Sequence, residues 1–235
     1  MPESPIKLYA FATSPFVQKV AAVMDYKKIP YTPVFVHPQK KGEIQFSQKK
    51  QVPIIDDNGT IVEDSTDIAL YLDKRTPEPG IVPADAAARE KVLAIEQWFD
   101  EVFAGKFYVA CRFGPPANRK RTVQAFVDTS PFNALERIGL PLLSGYLLRE
   151  VIRSATENWE HAGEQLDELE RKLGNGPFLA EQPQPTIADF AVFASLSVIT
   201  DLQLEGAGMI RERKRIVEWM DRLRPLTSDG TRLYS

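Results

Sequence analysis

A chain of 235 residues is long enough for one or two domains, each with its own core. Hydrophobic residues make up 43% and charged residues 26%, the balance of a soluble globular protein, and a net charge of -3 offers no basic surplus for nucleic acid. The single cysteine, Cys111, excludes an internal disulfide framework and an intramolecular Cys-x-x-Cys redox centre, and it fits a reducing compartment. With His37 and His161 far apart, nothing points to a His/Cys metal site, and none is expected.

The first residues, Met1 to Pro5, lead straight into an apolar strand-like run, without the basic start and long apolar stretch of a targeting segment. No run approaches the roughly 18 apolar residues of a membrane span. A cytoplasmic protein with no integral membrane segment is the expectation. Residues 6–11 read as a strand. Pro15–Tyr26 reads as a helix, with Val17, Val20, Ala21 and Met24 at helical spacing. Residues 31–36 are a second strand, rich in aromatic and β-branched residues. A lysine-rich stretch, residues 39–50, follows. Residues 52–55 and 60–62 then flank Asp57-Asn58-Gly59, a hairpin signal, because Asn and Gly both accept positive φ. Residues 64–74 form a helix with Ile68, Tyr71 and Leu72 on one face. The order is therefore βαβαββα, with the first two strands parallel through a right-handed crossover and the hairpin antiparallel.

A proline-rich stretch from Thr76 to Pro83 reads as a linker. It divides the chain into a first domain over residues 1–76, a linker over 77–84 and an all-helical domain over 85–235. In the second part Val92, Ile95, Phe99, Val102 and Phe103 form one helical stripe, and Ala162, Leu166, Leu169 and Leu173 another. Residues 187–202 are almost wholly apolar, which predicts a buried central helix. Ile216, Trp219, Met220 and Leu223 mark a last amphipathic helix. Gly114-Pro115-Pro116, Pro131 and Pro141 predict short or broken helices between residues 105 and 149.

Four short stretches carry candidate chemistry. Thr13-Ser14-Pro15-Phe16 opens a helix at the C-terminal end of the first strand, where sheets of this kind bind ligands. The free N–H groups and positive dipole end there stabilise an anion, and a hydroxyl donating to a thiolate lowers the thiol pKa. Taken alone, the stretch reads first as a plain N-cap, with Ser14 or Thr13 capping the helix. At Gln51-Val52-Pro53 the proline is either an edge-strand residue or part of a cis bond that leaves the Val52 backbone free to pair with a peptide ligand. At Glu63-Asp64-Ser65 the Ser65 N–H and hydroxyl can hold a carboxylate and Asp64 an ammonium group, or the stretch is a cap and nothing more. Thr186-Ile187-Ala188-Asp189 has the form of a capping box, with a structural role. Lys40, Lys41, Lys49 and Lys50 read as a solvated face, and Cys111 as a small buried apolar residue.

Taken together in this order, these pieces resemble the glutathione transferase superfamily over nearly the whole chain. The resemblance rests on Leu8-Tyr9, Ser14-Pro15-Phe16, Lys50-Gln51-Val52-Pro53-Ile54, Glu63-Asp64-Ser65, Ile68-Ala69-Leu70-Tyr71-Leu72 and Pro185-Thr186-Ile187-Ala188-Asp189-Phe190. It implies an α/β thioredoxin-like N-terminal domain with a cis proline at Pro53, followed by an all-α domain. It implies glutathione as co-substrate, held by Phe16, Gln51, the Val52 backbone, Pro53, Asp64 and Ser65. Position 64 is usually Glu or Gln in the family and is Asp here. Ser14 falls where serine classes place the hydroxyl that activates the thiolate; Tyr9 on the first strand is the rival hydroxyl. The N-terminal part is also similar to the glutaredoxin-like domain of membrane-associated prostaglandin E synthase type two. That relative carries Cys-Pro-Phe-Cys where this chain has Ser14-Pro15-Phe16-Val17, so thiol–disulfide chemistry lacks its thiols.

The expected reaction is attack of glutathione thiolate on a small apolar electrophile, in a pocket lined by Phe103, Phe107, Tyr108, Cys111 and Phe113. A homodimer follows from the same resemblance. Two other classes stand beside the enzyme: a non-catalytic binding or scaffold protein of this fold, and a membrane-peripheral relative of the synthase, using the leucine-rich end of the 105–149 segment.

Overall fold

Alternating apolar residues in Ile6–Ala10 (β1) send Leu8 and Ala10 to the main core and Tyr9 to the opposite face, because successive strand side chains point to opposite sides. The structure, a computed structural model, describes residues 5–227. β1, α1 (Pro15–Tyr26) and β2 (Tyr31–Phe35) form a β-α-β unit, with β1 and β2 parallel from Ile6 opposite Tyr31 to Ala10 opposite Phe35. β3 (Ile54–Asp57) lies antiparallel to β1, and β4 (Thr60–Glu63) antiparallel to β3. The sheet order is β2-β1-β3-β4. The hairpin turns on Asn58 and Gly59, both at positive φ (51° and 97°), as a tight two-residue turn requires. α2 (Ser65–Arg75) closes this part.

Between β2 and β3 the helix anticipated in the βαβαββα order is a single 3-10 turn, Gly42–Ile44. Residues 39–50 hold two large apolar side chains, Ile44 and Phe46, too few for an amphipathic face. Of these two, Ile44 is buried and anchors the turn, while Lys41 and Lys50 sit at φ 48° and 49°.

Residues 76–85, between α2 and the next helix, carry no helix or strand, yet they are fastened. The Lys27 ammonium reaches the carbonyls of Thr76 (2.8 Å) and Pro79 (2.7 Å) and the Asp73 carboxylate (2.7 Å). From there on the described chain is helical. α3 (Ala86–Trp98) continues through a π-helical stretch, Phe99–Val109, into α4 (Ala110–Phe113). α5 (Pro116–Thr129) and α6 (Ala134–Leu147) follow, then α7 (Arg149–Trp159) and α8 (Ala162–Leu173). α9 (Ile187–Asp201) is buried from Ile187 through Ile199 and packs against α1, tying the two parts together. α10 (Gly206–Arg211) and α11 (Lys214–Leu223) end the order.

α5 and α6 are fourteen residues each, longer than the prolines led us to expect. Pro116 sits in the first turn of α5, where its missing N–H costs nothing. Pro131 lies in the break between the two helices. Pro141 lies inside α6 and removes one intrahelical bond, on a helix with no buried residue.

At the head of α9 the Asp189 carboxylate is a hub. It accepts from the Thr186 N–H (2.8 Å) and hydroxyl (2.7 Å), the Leu179 N–H (2.9 Å) and the Trp219 indole N–H (2.8 Å). Burial still pushes its pKa up to about 6, the four donors only partly offsetting the loss of water.

Candidate functional site

β1 runs directly into the start of α1, and this junction opens onto an apolar cavity of about 610 Å³. Ser14 is the N-cap, with φ -78° and ψ 127°. Its oxygen accepts from the Val17 N–H at a long 3.5 Å, so its proton stays available for another partner. Pro15 has no N–H to offer. Ser14, Pro15 and Phe16 all line the cavity. Tyr9 does not: its ring meets Phe46 edge-on at 5.2 Å, in the cluster with Val36, Ile44 and Ile54 on the other side of the sheet. Of the two rival hydroxyls, it is Ser14 and not Tyr9 that belongs to a residue of the cavity lining.

Of the helical-domain side chains expected in the second pocket, Tyr108 and Phe113 line the cavity. Phe103, Phe107 and Cys111 do not. They face the core instead, fully buried, with the rings of Phe103 and Phe107 tilted against each other at 4.9 Å. A Cβ on Gly206 would lie 2.5 Å from the Cys111 sulfur, so the thiol is packed flush against α10. Burial drives its pKa far up, which makes it unreactive. The remaining wall comes from α5 and α6, including Val123, Phe126, Leu140 and Leu147. The outer face of α6 exposes Leu135 (81%), Leu142 (79%) and Tyr146 (73%). Its N-terminus is held by His37, whose Nδ1 accepts from the N–H groups of Gln39 and Lys40; Nε2 therefore carries the proton and donates to Glu136 at 3.2 Å.

Gln51, Val52, Pro53, Asp64 and Ser65 lie outside the cavity lining. The Val52–Pro53 bond is cis. Among the described residues, neither polar backbone group of Val52 has a hydrogen-bond partner. Gln51 is exposed. Asp64 caps α2, accepting from Thr66 N–H (2.9 Å), and adopts φ 84°, a conformation a non-glycine residue keeps only when its surroundings enforce it. Ser65 is buried at the first turn of α2, and its hydroxyl accepts from the Lys19 ammonium at 3.4 Å.

Lys19 was not singled out by sequence reasoning. It is fully buried, donates to Thr66 Oγ1 at 3.0 Å and pairs with Glu96 of α3. Thr66 Oγ1 in turn donates to Glu96. This buried network joins α1, α2 and α3 beneath Ser65. The available signal was a lone cation inside the apolar run of α1. Asp100 was missed as well. It lines the cavity close to Asp64 and Lys19, and burial pushes its pKa up to about 6, with Lys19 opposing and Glu96 and Asp64 adding to the rise. Asp100, Ala104, Tyr108 and Arg112 follow at four-residue steps along one wall. Polar residues at helical spacing in an aromatic run were the signal for them.

Residues 8–80 match the family model of the glutathione S-transferase N-terminal domain. That match covers under a third of the chain and places the likeness in its first part. Prostaglandin E synthase 2 of Danio rerio is 43% identical over 56 residues, 24% of this chain and 15% of that protein. Protein LigF of Sphingobium sp. is 33% identical over 105 residues, 42% of this chain and 41% of that protein. The matches thus span less than half the length of either relative. In structure, the beta-etherase LigF of the same genus superposes with a TM-score of 0.69 at 23% identity, covering 95% of this chain and 97% of that one. Human glutathione transferase theta-2, solved in complex with glutathione, superposes with a TM-score of 0.67 at 21% identity, covering 96% and 84%. These likenesses extend the transferase fold over the helical part: a thioredoxin-like N-terminal domain followed by a helical region. No helix among the described residues is long and apolar enough to cross a membrane.

Proposed function

We propose that the protein is a glutathione transferase that adds glutathione thiolate to a small apolar electrophile, in the cytoplasm and as a homodimer. The observation that carries this reading is the position of Ser14: a free hydroxyl proton, at a helix N-terminus, in the wall of an apolar cavity. In this reading the cysteinyl backbone of glutathione pairs with the unpartnered backbone of Val52. The γ-glutamyl carboxylate meets the Ser65 N–H and hydroxyl. Its ammonium sits between Asp64 and Asp100, whose mutual repulsion a cation relieves. The sulfur lies at the start of α1, beside Phe16. The Ser14 hydroxyl donates to it, the thiol proton leaves to solvent, and the sulfur forms a bond to the electrophilic carbon held in the cavity; either that carbon's double bond opens and its far atom takes a proton from solvent, or its leaving group departs with the bonding pair. Ser14 acts as a hydrogen-bond donor and takes no proton.

The reading is tested by titrating glutathione calorimetrically into wild type, Ser14→Ala and Ser65→Ala, following thiol ionisation by ultraviolet absorbance. Ser65→Ala should weaken binding about tenfold or more, the range of one hydrogen bond to a charged group. Ser14→Ala should leave binding nearly intact and raise the bound thiol pKa by about one to two units. A wild-type protein that does not bind glutathione overturns the enzyme in favour of a binding protein on the same fold.

A further inference from the structure

Two charged residues line the cavity, Asp100 and Arg112. Arg112 is 8% exposed, and it brings a guanidinium cation to the cavity wall. Its bonds all go to neutral acceptors. Nη1 donates to the Thr13 carbonyl (3.1 Å) and the Tyr108 hydroxyl (2.9 Å), and Nη2 to the Thr13 hydroxyl (3.2 Å). Nε is out of water and has no partner. Among the described residues no carboxylate pairs with this cation. The rings of Tyr108 and Phe113 lie 5.2 and 5.5 Å from the guanidinium carbon. Elsewhere the protein neutralises its buried cations: Lys19 has Glu96 and Lys27 has Asp73. A clamp on Thr13 needs neutral donors only. A full charge walled by Phe11, Phe113, Phe126, Val123 and Leu140 is costly to hold unless something else brings the opposite charge.

We infer that Arg112 is a specificity-determining residue: the cavity takes a molecule with an apolar body and one anionic oxygen group, a carboxylate or sulfonate, set against this guanidinium. The apolar wall strengthens that attraction by excluding water, and rejects a second charged group. The inference rests on the transferase reading for calling this occupant the electrophile. The charge it must carry follows from the cavity itself.

The test uses two fluorescent probes without glutathione, so that it reports on Arg112 whether or not the transferase reading survives. N-phenyl-1-naphthylamine and 1-anilinonaphthalene-8-sulfonate share one aromatic body and differ by the sulfonate. Wild type should bind the sulfonate at least about tenfold more tightly than the neutral probe. Arg112→Gln, which keeps donors for Thr13 but not the charge, should abolish that preference while leaving the neutral probe's affinity unchanged. Arg112→Lys should retain most of it. A preference that persists in Arg112→Gln overturns the inference. Should Arg112→Gln not fold, the wild type decides alone: equal affinity for the two probes overturns the inference.

Discussion

Replacing Lys19 by Met is expected to cost far more than a lysine substitution on a helix surface. The ammonium is fully buried and holds three groups at once: Ser65, Thr66 and Glu96. Met fills nearly the same space, so packing is largely kept. What is left behind is the Glu96 carboxylate, 5% exposed, with the Thr66 hydroxyl as its remaining donor. Removing one member of a buried ion pair costs about 3–5 kcal/mol, mostly because the other charge stays buried and unpaired. For a chain of this size that corresponds to a fall in Tm of about 6–20 °C. Urea unfolding of wild type, Lys19→Met and the double variant Lys19→Met/Glu96→Leu separates pair from packing. The double variant should recover most of the lost stability, since two apolar residues can replace a buried pair at little net cost. Its glutathione affinity should stay low, because the Ser65 hydroxyl has lost the donor that orients it. A loss below about 1 kcal/mol in Lys19→Met, or a double variant no more stable than the single one, would refute the assignment of this pair as the buried joint beneath Ser65.

Asp189→Ala strands the Trp219 indole N–H and the Leu179 N–H in the core, and should cost about 3–5 kcal/mol in chemical denaturation. The same carboxyl gives a pH signature. Its folded pKa is raised from 3.8 to about 6, so between those values the folded chain holds a proton that the unfolded chain has released. Stability should therefore rise by up to about 3 kcal/mol from this group as pH falls from above 6 towards 4, and that slope should vanish in Asp189→Asn. Asp100 gives a pH signature in binding instead. A carboxylate must be ionised to hold the glutathione ammonium, so wild-type affinity should drop as pH falls through about 6, while Asp100→Asn binds weakly with a flatter profile in calorimetry. An unchanged pH profile in that variant would remove Asp100 from the site.

Much of the fold was legible because it is written in local chemistry. Strand alternation in Ile6–Ala10, the Ser14-Pro15 helix start, the Asn58-Gly59 turn and the unbroken apolar run of α9 each involve neighbours a few residues apart. The lysine-rich stretch misled, because the order of elements suggested a helix where two apolar residues can anchor only one turn. The prolines misled in the other direction, since Pro116 and Pro141 sit where α5 and α6 can absorb them.

By itself, the sequence determined the order of elements, the helix start that presents Ser14 and the cap that presents Ser65. Tertiary structure alone decided which side chains meet in the site. Periodicity marks an apolar face but not what that face meets, so Tyr108 and Phe113 could not be told from Phe103, Phe107 and Cys111. Nor could a cation on α1 be seen to pair with a carboxylate 77 residues away, or Arg112 to reach Thr13 across 99. Those contacts exist because α3 and its π-helical continuation are laid against the start of α1, and only packing between distant segments sets where a buried charge finds, or lacks, its partner.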